Sequence, residues 1–285
     1  MVGQSLARLL LAKGYAVIGL GKGPSRLSIE HPSFSYFQAD LSHPFEAQQV
    51  IASQLPDCIV HCAAMTQVDD CERLQKEAHS LNVEATARLL LDAEMYSRFF
   101  IFLSTDFVFD GRQGMYAEAD PVNPVSWYGH TKIEAEAVTE TAEIPWAIIR
   151  TCLVYGEQVE AGRNNLFTWL RENLHANKSI KVVNDQWRTP TWVEDLARGI
   201  ELVIAKQATG IWHISGDELY TPYQMAIAAA DHFGWNKTVI TPVTAETFSQ
   251  PGKRPARTGF KIDKAKKDLG FIPGSFIGNL SNLKG

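Results

Sequence analysis

Tyr128 and Lys132 stand four residues apart in Tyr128-Gly129-His130-Thr131-Lys132, at the head of a segment that continues through Ile133, Ala137 and Val138. Residues at i and i+4 share one face of a helix, so the phenol and the ammonium are predicted to point the same way. An ammonium beside a phenol favours the phenolate and draws the tyrosine pKa down from about 10 toward working pH. Such a phenol is a general acid for a carbonyl undergoing reduction. The spacing alone is common on surface helices, so its surroundings must decide. Upstream, Ser104 and Thr105 place two hydroxyls where a strand-like run ends, either to meet a substrate or to cap the strand.

The elements that would carry these groups follow from hydrophobic periodicity. Leu6, Ala7, Leu9 and Leu10 recur at helical spacing and Gly14 ends that helix. Residues 15–20, 34–38, 58–62 and 99–104 read as buried strands, and 43–55 and 81–95 as helices between them. Strands alternating with helices imply right-handed crossovers and parallel pairing. The predicted fold is therefore α/β, a doubly wound parallel sheet of Rossmann type, with ligands outside the carboxyl ends of its strands. Residues 1–155 form the first domain, with returns to it within about 180–215. Residues 156–285 form mainly a smaller lobe in which Trp169, Trp187, Trp192, Trp212 and Trp235 are spread through turns and helices. Trp187 and Trp192 either stack on a base or fill the lobe's core.

Composition narrows the function classes. A net charge of −5 over 285 residues gives no basic footprint for nucleic acid, and Lys253-Arg254 and the lysines of 264–267 read as solvated faces. Cys58, Cys62, Cys71 and Cys152 lack paired metal spacing and read as reduced thiols. His61, His130 and His213 do not supply a ligand spacing either, so no metal is expected. No apolar run approaches the roughly 18 residues needed to span a bilayer, and the start lacks a signal-peptide pattern. A cytoplasmic protein is expected, with no membrane partner.

The segment Ser104-Thr105-Asp106-Phe107-Val108-Phe109-Asp110-Gly111, at its distance before Tyr128, resembles the dTDP-4-dehydrorhamnose reductases, within the extended short-chain dehydrogenase/reductases. Asp40-Leu41, His61-Cys62-Ala63-Ala64-Met65-Thr66, Leu81-Asn82-Val83-Glu84 and Ile149-Arg150-Thr151 look like further landmarks of that family. So do residues 184–191, Trp212-His213-Ile214-Ser215-Gly216 and Arg254-Pro255, so the likeness runs over roughly residues 1 to 270. The resemblance implies a dinucleotide-binding first domain, a substrate-binding second lobe, and reduction of a nucleotide-linked 4-keto-6-deoxysugar by NADPH or NADH. Tyr128 is then the catalytic acid, Lys132 its activator and ribose partner, and Thr105 the hydroxyl that holds the substrate carbonyl, with Ser104 its nearest rival. Cofactor contacts are implied at Gly3, Lys22, Asp40, Ala63, Ala64, Asn82 and Lys132. Asn82 resembles the residue that supports the lysine through water, and otherwise belongs to a polar face. Arg188 and Arg254 are candidates for the substrate diphosphate, because guanidinium forks match phosphate, and otherwise are surface arginines. A homodimer is compatible with the family likeness.

Two other functions share these features. A nucleotide-sugar epimerase or dehydratase uses the same fold and Tyr/Lys pair, but Phe107 stands where dehydratases carry a Glu after the Asp. A non-catalytic subunit resembling the β subunit of methionine adenosyltransferase fits Arg188-Thr189-Pro190-Thr191. For the cofactor, the strand near 17–20 ends in Gly21-Lys22 without a carboxylate, so Lys22, with Arg26, is expected to attract a 2′-phosphate and favour NADPH. In the family a first strand and a turn with two glycines precede the residues aligned with Met1-Val2-Gly3. Gly3 would be the third glycine of the Gly-x-x-Gly-x-x-Gly fingerprint, where it permits close helix packing. About ten residues are then absent, Met1 is expected to be an internal methionine, and the central sheet lacks its first strand. Tyr128→Phe is predicted to keep fold and cofactor affinity while losing about 10²- to 10⁴-fold in turnover, since only the transferable proton goes. Steady-state kinetics with a cofactor-binding control measure this, and a folded mutant within tenfold of the parent contradicts the acid role.

Overall fold

Residues 1–157 and 164–284 are described in the computed structural model, and they alternate helix and strand along most of the chain. Helix α1 (Val2–Ala12) buries Leu6, Ala7 and Leu11 and stops at Gly14, which takes the left-handed φ of +85° that ends the helix cheaply. There follow β1 (Val17–Gly21), β2 (Phe34–Gln38), α2 (Glu46–Gln54), β3 (Cys58–His61), α3 (Val68–Arg73) and α4 (Gln75–His79). A π-helical turn at Ser80–Glu84 leads into α5 (Ala85–Tyr96) and then β4 (Phe99–Thr105). The continuous helix predicted over 81–95 is thus interrupted at its first turn, where the Asn82 side chain leaves the helix face to bind the Met65 peptide.

Helix α6 (Trp127–Glu140), β5 (Trp146–Thr151) and β6 (Val154–Tyr155) complete the first half. Beyond it lie α7 (Leu166–His175), β7 (Ile180–Val183), β8 (Thr191–Trp192), α8 (Val193–Lys206), β9 (Gly210–His213), α9 (Pro222–Phe233), β10 (Ile240–Val243) and α10 (Phe276–Leu280). Strands β3, β4, β5 and β9 form one parallel sheet in that order. Side chains alternate across it with period two. Phe100, Phe102 and Ile148 face the layer holding Ala47, Ile51, Leu89 and Ala135. Ile101 and Ile149 face the opposite layer, with Leu6, Leu196, Ile200 and Val203. Helices cover both faces, as a parallel sheet requires. On the second face α8 comes close because Gly199 has no side chain: a Cβ there would lie 2.4 Å from Ile214 Cγ2.

The sheet is not continuous across the first half of the chain. Strand β1 pairs only with β2, and among the described residues no ladder joins β1 to β3. β1 and β3 are mostly half-buried, whereas β4 and β5 are buried almost throughout. In the second half β7 pairs with β10, and α7 and α9 pack on them through Leu170, Ile180, Ala226, Ala230 and Ile240. Of the tryptophans, Trp235 stacks on Phe233 at 4.8 Å inside this cluster, and Trp192 packs on the Tyr155 and Phe276 group. Trp212 lies in β9, a strand of the main sheet.

A buried ion pair ties β4, α6 and β5 together. Arg150 donates from Nη2 to Glu136 Oε2 at 2.6 Å and from Nε to Glu136 Oε1 at 3.0 Å, and Ser104 donates its hydroxyl to the same Oε1. Both charged side chains are about as buried as the core, so each depends on the other. Arg150→Met strands the Glu136 charge and is expected to cost about 3–5 kcal/mol of unfolding free energy, with Glu136→Leu/Arg150→Met recovering much of it. Urea denaturation measures both, and a single-mutant loss below about 1 kcal/mol would contradict the bracing role.

Candidate active site

The carboxyl ends of β3 and β4 and the first turn of α6 build the site. Ser126 caps α6 by accepting from the Gly129 amide at 3.2 Å, which fixes the turn that carries Tyr128. Gly129 lets that turn approach the loop after β4: a Cβ there would stand 2.3 Å from the Phe107 carbonyl oxygen. Pressed in this way, Tyr128 meets Phe107 edge-on at 5.8 Å, and the Thr105 hydroxyl is near enough to its phenol to favour the phenolate. The structure therefore brings Thr105 and Tyr128 together. Ser104, the rival hydroxyl, is spent on Glu136 one layer deeper.

Lys132 lies one helical turn on, buried, with Nζ donating to the Leu103 carbonyl at 2.7 Å and resting 3.9 Å from the centre of the Phe102 ring. Burial draws its pKa down to about 7, against the pull of Glu136 and Cys62 upward. The expectation that Lys132 lowers the Tyr128 pKa is corrected here. Burial, and after it the Asp106 charge, push the phenol up, with only the nearby Thr105 hydroxyl acting the other way. The lysine directs its head to the strand carbonyl instead, and a desolvated neighbour near pH 7 is a weak source of positive field. Next to it, His61 is held down at about 3 by burial and by Lys132, and bonds Thr86 at 3.1 Å.

Asn82 is buried and accepts from the Met65 amide at 2.7 Å while donating to the Met65 carbonyl at 3.1 Å and to Thr131 at 2.9 Å. It pins the loop after β3 to α6, the loop on which Ala63 is exposed and Ala64 half-buried. Lys22 and Asp40 meet each other: Nζ lies 2.9 Å from Oδ2, with the lysine 82% and the aspartate 15% exposed. The Ser42 amide, and after it Lys22, hold the Asp40 carboxyl down at about 2. Gly3 departs from its expected role. It is exposed, and a Cβ there would meet nothing within 4 Å, so close packing does not require glycine at this position.

The two arginines are placed unlike surface residues. Arg188 is buried and gives its donors to the carbonyls of Trp187, Ala256 and Pro255, with Nε 3.4 Å from Asp106 Oδ2. A guanidinium so engaged is not presented to a diphosphate, which corrects the expectation of a direct contact. Arg254 forks onto Asp69 with two bonds of 2.8 Å and also lines an open cleft of about 750 Å³ together with Arg112, Phe248 and Lys253. Asp106 was overlooked as a site residue, as were Gly129 and Thr258. Thr258 donates to Asp106 across 152 positions, a separation that leaves no local sequence signal.

Parallel strands with helices on both faces, and a Tyr/Lys helix beside a strand-end threonine, define a protein of the short-chain dehydrogenase/reductase kind. The chain belongs to the RmlD substrate binding domain family, whose sequence pattern matches residues 1–283. It is 30% identical over 297 residues to the dTDP-4-dehydrorhamnose reductase of Aggregatibacter actinomycetemcomitans, covering 99% of this chain and 95% of that one. It is 31% identical over 250 residues to methionine adenosyltransferase 2 subunit beta of Bos taurus, covering 86% of this chain and 72% of that one. The crystal structure of a hypothetical dTDP-4-dehydrorhamnose reductase from Sulfolobus tokodaii superposes with a TM-score of 0.82 at 26% identity, covering 97% of this chain and 95% of that one.

The depressed Lys132 pKa makes stability depend on pH. Between about 7 and its unfolded value near 10.4 the unfolded chain binds a proton that the native chain does not. The burial penalty is fully present below pH 7 and is lifted as pH rises. The unfolding free energy of the parent relative to Lys132→Met should therefore rise with pH across 7 to 10, with a slope approaching about 1.4 kcal/mol per unit. Urea titrations at several pH values measure it, and a flat difference would show that Lys132 stays charged.

Proposed function

We propose that the chain is an NAD(P)H-dependent oxidoreductase that reduces the keto group of a nucleotide-linked 4-keto-6-deoxysugar. The observation that carries this is the convergence of the Thr105 hydroxyl, at the carboxyl end of β4, with buried Tyr128 and Lys132, one helical turn apart on α6. When bound, a reduced nicotinamide nucleotide supplies hydride to the sugar carbon. The residues present fit such a group: Lys132 spends one of its three donors, on Leu103, which leaves two for ribose hydroxyls, and the loop at Ala63 and Ala64 offers backbone with little side chain above it. Tyr128 gives its proton to the oxygen that gains charge as the carbonyl is reduced. Its high pKa keeps the phenol protonated until that moment.

Lys22 remains the group proposed for a 2′-phosphate, and NADPH the preferred cofactor. Its pair with Asp40 is mostly solvated, so exchanging that carboxylate for a phosphate costs little. Asp40 is proposed to lie beside adenine. The cleft at Arg254 is proposed for the nucleotide diphosphate, with residues 1–155 holding the cofactor and 156–285 mainly the sugar nucleotide. A cytoplasmic location without nucleic-acid partners goes with this reading and with the net charge of −5.

The likeness to methionine adenosyltransferase 2 subunit beta supports a second reading, a non-catalytic subunit of a larger enzyme. A dehydratase role is disfavoured because Asp106, the residue that would supply the acid, is engaged by Arg188 and Thr258. Incubation with NADPH and a panel of nucleotide-4-ketosugars, followed by loss of the reduced cofactor's absorbance, tests the proposal. Turnover of one sugar, faster with NADPH than with NADH, is expected. No turnover of any, together with co-purification of a larger enzyme, would overturn the reductase reading.

A further inference from the structure

Asp69 stands in the first turn of α3, and residues 252–254 wrap its carboxylate. Oδ1 accepts from the Gly252 amide at 3.1 Å and from Arg254 Nη1 at 2.8 Å, and Oδ2 accepts from Arg254 Nη2 at 2.8 Å. Arg254 Nη1 also donates to the Gly252 carbonyl at 2.6 Å, which closes the turn around the carboxylate. Gly252 is buried against α3: a Cβ there would lie 2.6 Å from Val68 Cγ1, so glycine lets the turn come this near. The Arg254 side chain is 18% exposed and that of Asp69 25%, and the arginine holds the Asp69 carboxyl below the usual carboxylate range. Helix α3 is itself fixed to the head of α6. Glu72 accepts from the Trp127 amide at 2.7 Å, and Val68 and Cys71 share a packed cluster with Tyr128.

A guanidinium carries five N–H donors in a rigid plane. Both donors of Arg254 Nη1 are used, one by Asp69 and one by Gly252, and one donor of Nη2 is used by Asp69. The Nε–H and the second Nη2–H remain, and no acceptor meets them among the described residues. These two lie side by side on the edge next to the one that Asp69 holds. They form a second fork, of the kind that takes two phosphoryl oxygens, on a side chain that lines the cleft. Arg188 has no such edge open, because its Nε faces Asp106 and its Nη2 donates to the Pro255 carbonyl.

We propose that Asp69 is a positioning residue for the substrate: by holding one edge of Arg254, it fixes the other edge for the diphosphate of the nucleotide sugar. The inference rests on the proposed use of the cleft. Charge and geometry act in opposite senses here. The Asp69 carboxylate repels a diphosphate, so its charge alone weakens binding. Its two acceptors stop the guanidinium from turning, which lowers the ordering cost when a ligand arrives. Geometry outweighs charge, because a fork delivers its strength only when both donors are aligned.

Asp69→Asn keeps the shape, removes the charge and leaves Arg254 one acceptor where it had two. Calorimetric titration of the full chain with thymidine diphosphate and with uridine diphosphate reads the consequence. Whichever of them binds the parent should bind Asp69→Asn about tenfold more weakly, and Asp69→Glu, which restores both acceptors, should recover part of that loss. Arg254→Lys keeps the charge without a fork and should weaken binding to a similar extent, and on top of it Asp69→Asn should cost nothing further. Binding that Asp69→Asn leaves unchanged or tightens, or a loss that persists on top of Arg254→Lys, would overturn the positioning role while the reading of the cleft stands. A parent chain that binds neither nucleoside diphosphate overturns that reading, and the positioning role with it. Should Asp69→Asn not fold, Arg254→Lys decides alone: binding within about twofold of the parent would show that no fork is used.

Discussion

Asp106 places a negative charge where water does not reach, and a buried carboxylate is tolerable only when its lone pairs and its charge are both met. The groups that meet it come from three stretches of chain: Thr105 at the end of β4, Arg188 before β8, and Thr258 near the end. None of these is a neighbour in sequence apart from Thr105. The closing segment around 252–258 must therefore fold back onto the main sheet before the Asp106 carboxylate has its partners. Arg188 carries the same requirement outward, since its remaining donors hold the Pro255 and Ala256 carbonyls. Removing either member of this pair leaves an uncompensated charge, so the second half of the chain and the end of β4 are energetically one unit.

A second buried charge system lies on the other side of helix α6. Glu136 follows Lys132 by one turn and is neutralised by Arg150 of β5, while Ser104 completes its acceptors. Lys132 is thereby close enough to Glu136 for its ammonium to be favoured, yet Glu136 is already paired, so desolvation wins and the pKa falls to about 7. The two hydroxyls at the strand end are sorted by these two systems. Ser104 faces the Glu136 side and Thr105 the Asp106 side, as successive residues of a strand must.

The interaction proposed to govern cofactor choice is much weaker. Lys22 and Asp40 attract each other at the surface, where the pair is solvated and worth little. A lysine held this lightly is oriented without being consumed, and a dianionic phosphate can outcompete one carboxylate for it. The contrast with Arg188 is instructive. Both were read as anion-binding cations, but Lys22 is exposed and exchangeable whereas Arg188 is enclosed and committed to its own chain.

The alternation of apolar runs was enough to place β2 and β4, and the doubly wound arrangement with them, because a strand buried on both faces must be apolar along its length, as Phe99 to Leu103 is. The Tyr128 and Lys132 pair was legible for a similar reason, since spacing along one helix is a local property. The direction of the Tyr128 pKa shift was not legible. It depends on burial and on Asp106, neither of which a helix face reveals. Gly129 was readable as part of a motif, but its need to be glycine comes from the Phe107 carbonyl pressed against it. The break between β1 and β3 and the π-turn at Asn82 are likewise facts of pairing and side-chain partnership. Sequence by itself determined which segments form strands and helices and which residues could do acid–base chemistry, because both follow from neighbours a few positions apart. Only the tertiary structure decided which arginine is buried and which carboxylate each strand-end hydroxyl meets, because a buried charge takes its partners from wherever the folded chain brings donors within reach.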